Sequence, residues 1–346
     1  MPLPCRRSLM VGMLPALALA AGGATAAPIG RAGSTQVTNR PVVVMVSGGT
    51  TQAPFTTPTA ACRQGKPAGA NFTSLRAAFL AAGIDAYTAP VMNAPGPVKS
   101  TAVLPSYRFA KCPETLPADV TMNSTTALDQ AGPKLVAFLN LLRSRYGVER
   151  VSLLGWSYGG QVARAAIRLL RDSGSPITVT SLITLGSPWT GMYPNDINMG
   201  DASIGICKWQ PTCVATIVGA GFESSPELKT GVVGQLTAKR MTAWNAQQVG
   251  VLDAVPVTAI GGNAVRYAKG SPAAWPNDAL VQLSSALATD VPTDVVPRIT
   301  RLTFDDVHSV TMVWQWRVIL GKTVSLTEDP KVHAAVIQAV RDGDAG

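Results

Sequence analysis

The sequence predicts an α/β protein built on a mainly parallel sheet covered on both faces, and three observations carry that expectation. Short β-branched apolar runs alternate with stretches of helical periodicity, the pattern of successive βαβ units. The chain's 346 residues, 47% hydrophobic and only 14% charged, are enough for a sizeable core and exclude a disordered chain. Its 32 Gly and 26 Pro supply the turns and long connections between elements. No internal repeat and no linker-like stretch divides the chain, so a single domain over 27–346 is expected.

The run 41–46, Pro-Val-Val-Val-Met-Val, reads as a buried parallel strand opening into the loop Ser47-Gly48-Gly49-Thr50-Thr51. Residues 71–82 carry apolar side chains at helical spacing up to Gly83, and 84–90 reads as the next strand. The stretch 93–117 is Pro-rich and aperiodic, hence a long surface connection. An amphipathic helix follows over 128–146, then a strand over 149–154 and a helix over 160–170 that stops near Gly174. Further strands are expected at 179–185, 255–261 and 299–304. Between 189 and 249 the periodicity weakens apart from one expected helix over 226–247, which suggests a cap or lid inserted into the main domain.

The first residues read as an export signal over 1–26, with Arg6-Arg7 as the positive region, 9–21 as the apolar region and Ala24-Thr25-Ala26 as a small-residue cleavage site. The mature protein is therefore expected to be secreted or periplasmic. An uncleaved anchor is the weaker alternative, because the stretch is rich in Ala and Gly and carries Pro15. The paired arginines leave the export route open. Cleavage lowers the formal net charge from +9 to +7, since two of 29 Lys+Arg and none of 20 Asp+Glu are lost. These basic residues are scattered and no nucleic-acid motif is present, so a nucleic-acid partner is not expected. Cys62, Cys112, Cys207 and Cys213 remain after cleavage, an even number suited to disulfides in an oxidising compartment. Of three possible pairings, Cys62 with Cys112 and Cys207 with Cys213 is favoured, the second closing a short loop. With only two histidines in the chain, a metal site lacks ligands, and no metal is expected.

Gly155-Trp156-Ser157-Tyr158-Gly159 is the most informative segment. A Gly-x-Ser-x-Gly string arises by chance about 0.2 times in such a chain, so its context decides. The string follows the strand-like 151–154 and precedes the helical 161–166, placing Ser157 at a strand-to-helix turn. There the helix amides would face a developing oxyanion, and flanking glycines would permit the tight turn. A serine hydroxyl needs a base. His308 lies just beyond the strand 299–304, whereas His333 sits in a helical pattern and reads as a packing or surface residue. The base in turn needs a carboxylate, and the chain order Ser, acid, His limits it to positions between 157 and 308. Asp278, in the loop after 255–261, is the first choice. Asp253 falls at the wrong strand end, Asp290 and Asp294 remain open, and Asp305 and Asp306 are close to His308 in sequence. Oxyanion donors would be the amide of Tyr158 and that of Gly49 or Thr50, with a threonine hydroxyl as a further donor.

These residues resemble the α/β-hydrolase superfamily and, within it, secreted lipases. Val46-Ser47-Gly48-Gly49-Thr50-Thr51, Gly155-Trp156-Ser157-Tyr158-Gly159-Gly160, Asp278-Ala279-Leu280-Val281-Gln282 and Asp306-Val307-His308-Ser309 look like the oxyanion, nucleophile, acid and base segments of the yeast lipase B family. Thr184-Leu185-Gly186-Ser187-Pro188 looks like a strand end of bacterial lipases. The resemblance implies an α/β-hydrolase fold and hydrolysis of a lipid or other apolar ester through an acyl-enzyme, without a cofactor. It implies a monomer in transient contact with a lipid interface. Two departures stand out: Ser47-Gly48 replaces the His-Gly of bacterial lipases, and no acid closely follows His308, so calcium is not supported. A polyester depolymerase or an acyltransferase would share the same triad. A non-catalytic secreted binding protein is a third reading, against which the complete Ser, Asp and His set stands.

Overall fold

A computed structural model of the chain describes residues 40–346 apart from 209, 222–224, 313–316, 318–320 and 322–323. The expected signal at 1–26 lies outside the described residues. Strand β1, Val42–Val46, lies inside the main sheet, and its last four side chains are fully buried. After the two-residue strand β2, Gln64–Gly65, come helix α1, Thr73–Ala81, and strand β3, Asp85–Thr88. The short strands β4, Val91–Met92, β5, Phe109–Ala110, and β6, Met122–Asn123, precede helix α2, Leu128–Tyr146. Strand β7, Arg150–Trp156, leads into helix α3, Tyr158–Asp172, and strand β8 is Thr178–Leu185. Strands β9, Val257–Gly262, and β10, Ile299–Phe304, complete the sheet, followed by a C-terminal helix at Pro330–Ala345.

The main sheet has the order β10-β9-β8-β7-β1-β3 with every pairing parallel. Parallel strands require crossover segments, and here these lay helices on both faces. Gly160 of α3 abuts the Thr184 side chain, whereas Gly343 of the C-terminal helix abuts that of Ser181. Residues three apart on one strand point to opposite faces, so the two helices cover opposite sides. All carboxyl ends of such a sheet share one edge, where ligands of open α/β folds bind.

The helix expected over 226–247 is instead three short ones, Pro226–Thr230, Val232–Gln235 and Ala238–Ala246. The break follows from Gly231, whose backbone leaves the helical region (ψ −128°) and passes so near Thr125 O that a Cβ would stand 2.0 Å from it. Thr237 then caps the third helix by accepting from Arg240 N. The connection 93–117 is less irregular than its sequence suggests, because β5 pairs antiparallel with β2 and Cys62 is bonded to Cys112. Cys207 and Cys213 form the second disulfide. Among the described residues no helix is long and apolar enough to cross a membrane.

Candidate active site

The turn from β7 into α3 is tight enough to dictate its sequence. A Cβ at Gly155 would lie 2.3 Å from Gly160 Cα, and one at Gly159 would lie 2.1 Å from Val46 O, so neither position admits a side chain. Between them Ser157 takes φ 56° and ψ −130°, a conformation rare for a residue with a Cβ. Its N–H is held by Leu185 O at 2.8 Å, which locks the turn to the neighbouring strand. Strain held by such surroundings marks functional turns.

Asp278 and His308 arrive on the loops that follow β9 and β10, at the same sheet edge. Their side chains meet with His308 Nδ1 2.7 Å from Asp278 Oδ2, both residues being buried. The other carboxylate oxygen, Oδ1, accepts from the amides of Leu280 (3.0 Å) and Val281 (2.7 Å). Those bonds fix the carboxylate, and His308 N donates to Asp278 O at 2.7 Å, so main chains and side chains are both clamped. His308 Nε2 is buried and has no hydrogen-bond partner among the described residues. An unpaired buried polar atom is uncommon and calls for a reason. Here the reason is at hand, because His308 and Ser157 line one cavity of about 840 Å³.

The other candidate acids lie elsewhere. Asp290 and Asp294 are exposed, and Asp305 pairs with Arg266 at 2.8 Å on the surface. Asp306 is buried, and burial first, then the neighbouring Asp329, pushes its carboxyl up to about 7. His333 lies in the C-terminal helix within 3.0 Å of Thr327 O. Gly49 lines the cavity, and a Cβ there would lie 3.6 Å from Tyr158 Cβ. Thr50 N donates to Ser124 O at 3.1 Å, so of the two loop amides only that of Gly49 carries no backbone hydrogen bond among the described residues. Of the two expected loop donors, Thr50 thus has its N–H already engaged. Tyr158 is anchored by its hydroxyl, which donates to Thr126 O at 2.6 Å; burial raises its pKa, keeping it neutral.

Three residues were not read from the sequence. Trp156 donates from Nε1 to His308 O at 2.8 Å, and its ring lies 5.2 Å from the imidazole. Gly186, at φ 55°, leaves room where a Cβ would lie 2.8 Å from both Asp278 Oδ2 and His308 Nδ1. Ser124 holds the loop after β1 through Oγ to Thr51 O at 2.9 Å and its own carbonyl to Thr50 N. Trp156 and Gly186 lie inside quoted motifs, yet their roles depend on partners distant in sequence. Among the described residues no cluster of His, Cys, Asp and Glu is suited to a metal ion.

The sheet order and the elbow before α3 together are those of the α/β-hydrolase fold. Residues 122–221, which contain Ser157, match a family model described as "Putative serine esterase (DUF676)". No curated protein matches the chain. Among solved structures, the mature lipase BlEst2 of Bacillus licheniformis is 15% identical, with a TM-score of 0.45 over 81% of this chain and 91% of that one. The Pyrobaculum calidifontis esterase is 12% identical, with a TM-score of 0.44 over 88% and 76%. The naproxen esterase of Bacillus subtilis is 13% identical, with a TM-score of 0.42 over 87% and 84%.

Proposed function

We propose that this protein hydrolyses carboxylic esters of apolar acids by acyl transfer through Ser157. The observation that carries the reading is His308, fixed through Nδ1 by Asp278 at 2.7 Å and left with a buried Nε2 that has no partner among the described residues, in the cavity it shares with Ser157. Ser157 Oγ attacks the ester carbonyl as Nε2 takes its proton. Asp278 keeps the Nδ1–H tautomer and stabilises the imidazolium. The amides of Gly49 and Tyr158 receive the oxyanion. Nε2 returns the proton to the departing alcohol, leaving an acyl-enzyme that water, activated by the same imidazole, cleaves.

The apolar part of the cavity supports an apolar acyl or alcohol group: Met192, Val232, Val233, Leu236, Leu280 and Met312 line it. Four of these come from 189–249, the segment we assign as a cap. Secretion agrees with two disulfides, which persist in oxidising compartments.

The test is labelling of the purified protein with a fluorophosphonate, followed by assay of wild type and Ser157→Ala on esters of increasing acyl length. Wild type is expected to label and to hydrolyse medium or long acyl esters. Ser157→Ala is expected to lose labelling and about 10⁴-fold or more in kcat. A wild type that neither labels nor hydrolyses any ester overturns the reading in favour of a binding protein. Transfer to an alcohol in preference to water redirects it to an acyltransferase.

A further inference from the structure

The segments 62–66 and 99–112 form one small platform at the mouth of the cavity. Its two strands, β2 and β5, pair Gln64 with Ala110 and Gly65 with Phe109, and the Cys62–Cys112 disulfide closes their end. Lys66 N donates to Arg108 O at 2.9 Å, Phe109 N to Ser100 Oγ at 3.1 Å, and Arg108 Nε to Ala102 O at 2.9 Å. The platform is fastened to the rest of the site twice. Gln52 hydrogen-bonds the Thr101 side chain and accepts from its N–H at 2.8 Å, and Tyr107 Oη donates to Val310 O at 3.3 Å, two residues past His308.

This platform has an apolar tip and a cationic body. Val103 and Leu104, which line the cavity, are 87% and 56% exposed, a poor use of apolar side chains unless something covers them. The two segments carry Arg63, Lys66, Lys99, Arg108 and Lys111 and no Asp or Glu. None of these five cations forms an ion pair among the described residues. An exposed apolar tip on segments that carry five cations without ion-pair partners among the described residues is complementary to a surface that is acidic at its headgroups and apolar beneath.

We propose that the platform docks the protein on an anionic lipid surface, with Val103 and Leu104 entering the apolar layer and the five cations meeting acidic headgroups. Docking in this way points the cavity mouth at the interface. The consequence for substrate delivery rests on the ester-hydrolase reading, whereas the docking itself does not.

The experiment is co-sedimentation of the full chain bearing Ser157→Ala with phosphatidylcholine vesicles, neutral or carrying about a third phosphatidylglycerol. Binding is expected only to the anionic vesicles and should weaken as salt is raised. Each neutralised cation should lower partitioning roughly five-fold, so Arg63→Glu/Lys99→Glu/Lys111→Glu should lower it by about a hundred-fold or more. None of these three lines the cavity, so in the Ser157-containing protein the same triple variant should keep wild-type turnover of a soluble short ester. That retained turnover would also show that it folds. Val103→Asp/Leu104→Asp should abolish sedimentation as well. Equal partitioning on neutral and anionic vesicles overturns the proposal. So does unchanged sedimentation of the Val103→Asp/Leu104→Asp variant, which would reduce the effect to adhesion of a basic surface to any polyanion.

Discussion

The indole N–H of Trp156 and the carbonyl of His308 join two residues 152 positions apart in the chain, at 2.8 Å. Neither belongs to the pairs that a motif search relates, yet the bond fixes the loop that carries His308. With His308 N donating to Asp278 O, both backbone polar groups of that residue are occupied. Trp156→Phe keeps a ring between Gly48 and His308 and removes only the donor, leaving a buried carbonyl unpaired. Such an unpaired group costs about 1–3 kcal/mol. We expect kcat on a soluble ester to fall about ten-fold, the fold-change of ~1.4 kcal/mol, with KM within two-fold of wild type. A rise in KM alone would mean that Trp156 shapes the cavity without positioning the base. The elbow itself was legible because its requirements are local: the strand, the helix and Gly155 and Gly159 lie within a few residues of Ser157. Asp278 was legible as the first choice among several acids from its place after a strand, whereas its contact with His308 is made through space.

At the scale of the element, α3 is held by more than its hydrophobic face. Arg164 is fully buried, its guanidinium 4.1 Å from the Trp189 ring centre and 4.6 Å from that of Trp244. It donates to Gln161 Oε1 at 2.7 Å and Asn245 Oδ1 at 2.9 Å, and Asn245 Nδ2 reaches Trp189 O at 2.8 Å. Burial lowers its pKa well below the usual value, but stacking and hydrogen bonds keep a cation tolerable there. The group pins the elbow helix to Trp189, just after β8, and to the helix Ala238–Ala246. Arg164→Ala removes the stacked body and strands two amides, for an expected loss of about 3 kcal/mol in urea unfolding. Arg164→Lys should recover little, since an ammonium has no flat face for two rings. Unchanged urea midpoints in both variants would dispose of the pin. Nothing in the sequence foretold it, because a single Arg in an amphipathic helix reads as solvated. The segment 189–249 was illegible in detail for a related reason: Gly231 breaks its expected long helix to meet Thr125 O, a contact made outside the segment.

For the whole molecule, the mainly parallel, doubly covered sheet was legible in the sequence because strand-like runs alternate with helical stretches, whereas the order of its strands and the balance of buried charge were not. Among the described residues two carboxyls are displaced upward: Asp306 to about 7, by burial and then Asp329, and Asp196 to about 6, by burial against the opposing hydrogen bond from Ala238 N. In the unfolded chain both titrate near the ordinary value of about 4. Between roughly pH 4 and 7 the folded state therefore binds more protons than the unfolded one, and stability falls as pH rises across that window. Below it both states are protonated and no difference remains; above it the full deficit persists. Asp306 Oδ2 is buried without a hydrogen-bond partner among the described residues, so the ionised form gains little locally. Asp306→Asn should therefore stabilise the protein at pH 8 by about 1–2 kcal/mol after allowance for solvent screening, a few degrees in Tm at this chain length. At pH 4 it should leave Tm unchanged, because a protonated Asp and an Asn are nearly alike there. Thermal scans of both proteins at several pH values decide the matter: a gain that is equal at pH 4 and pH 8 would assign the effect to packing, and no gain at pH 8 would remove Asp306 as a source of the pH dependence.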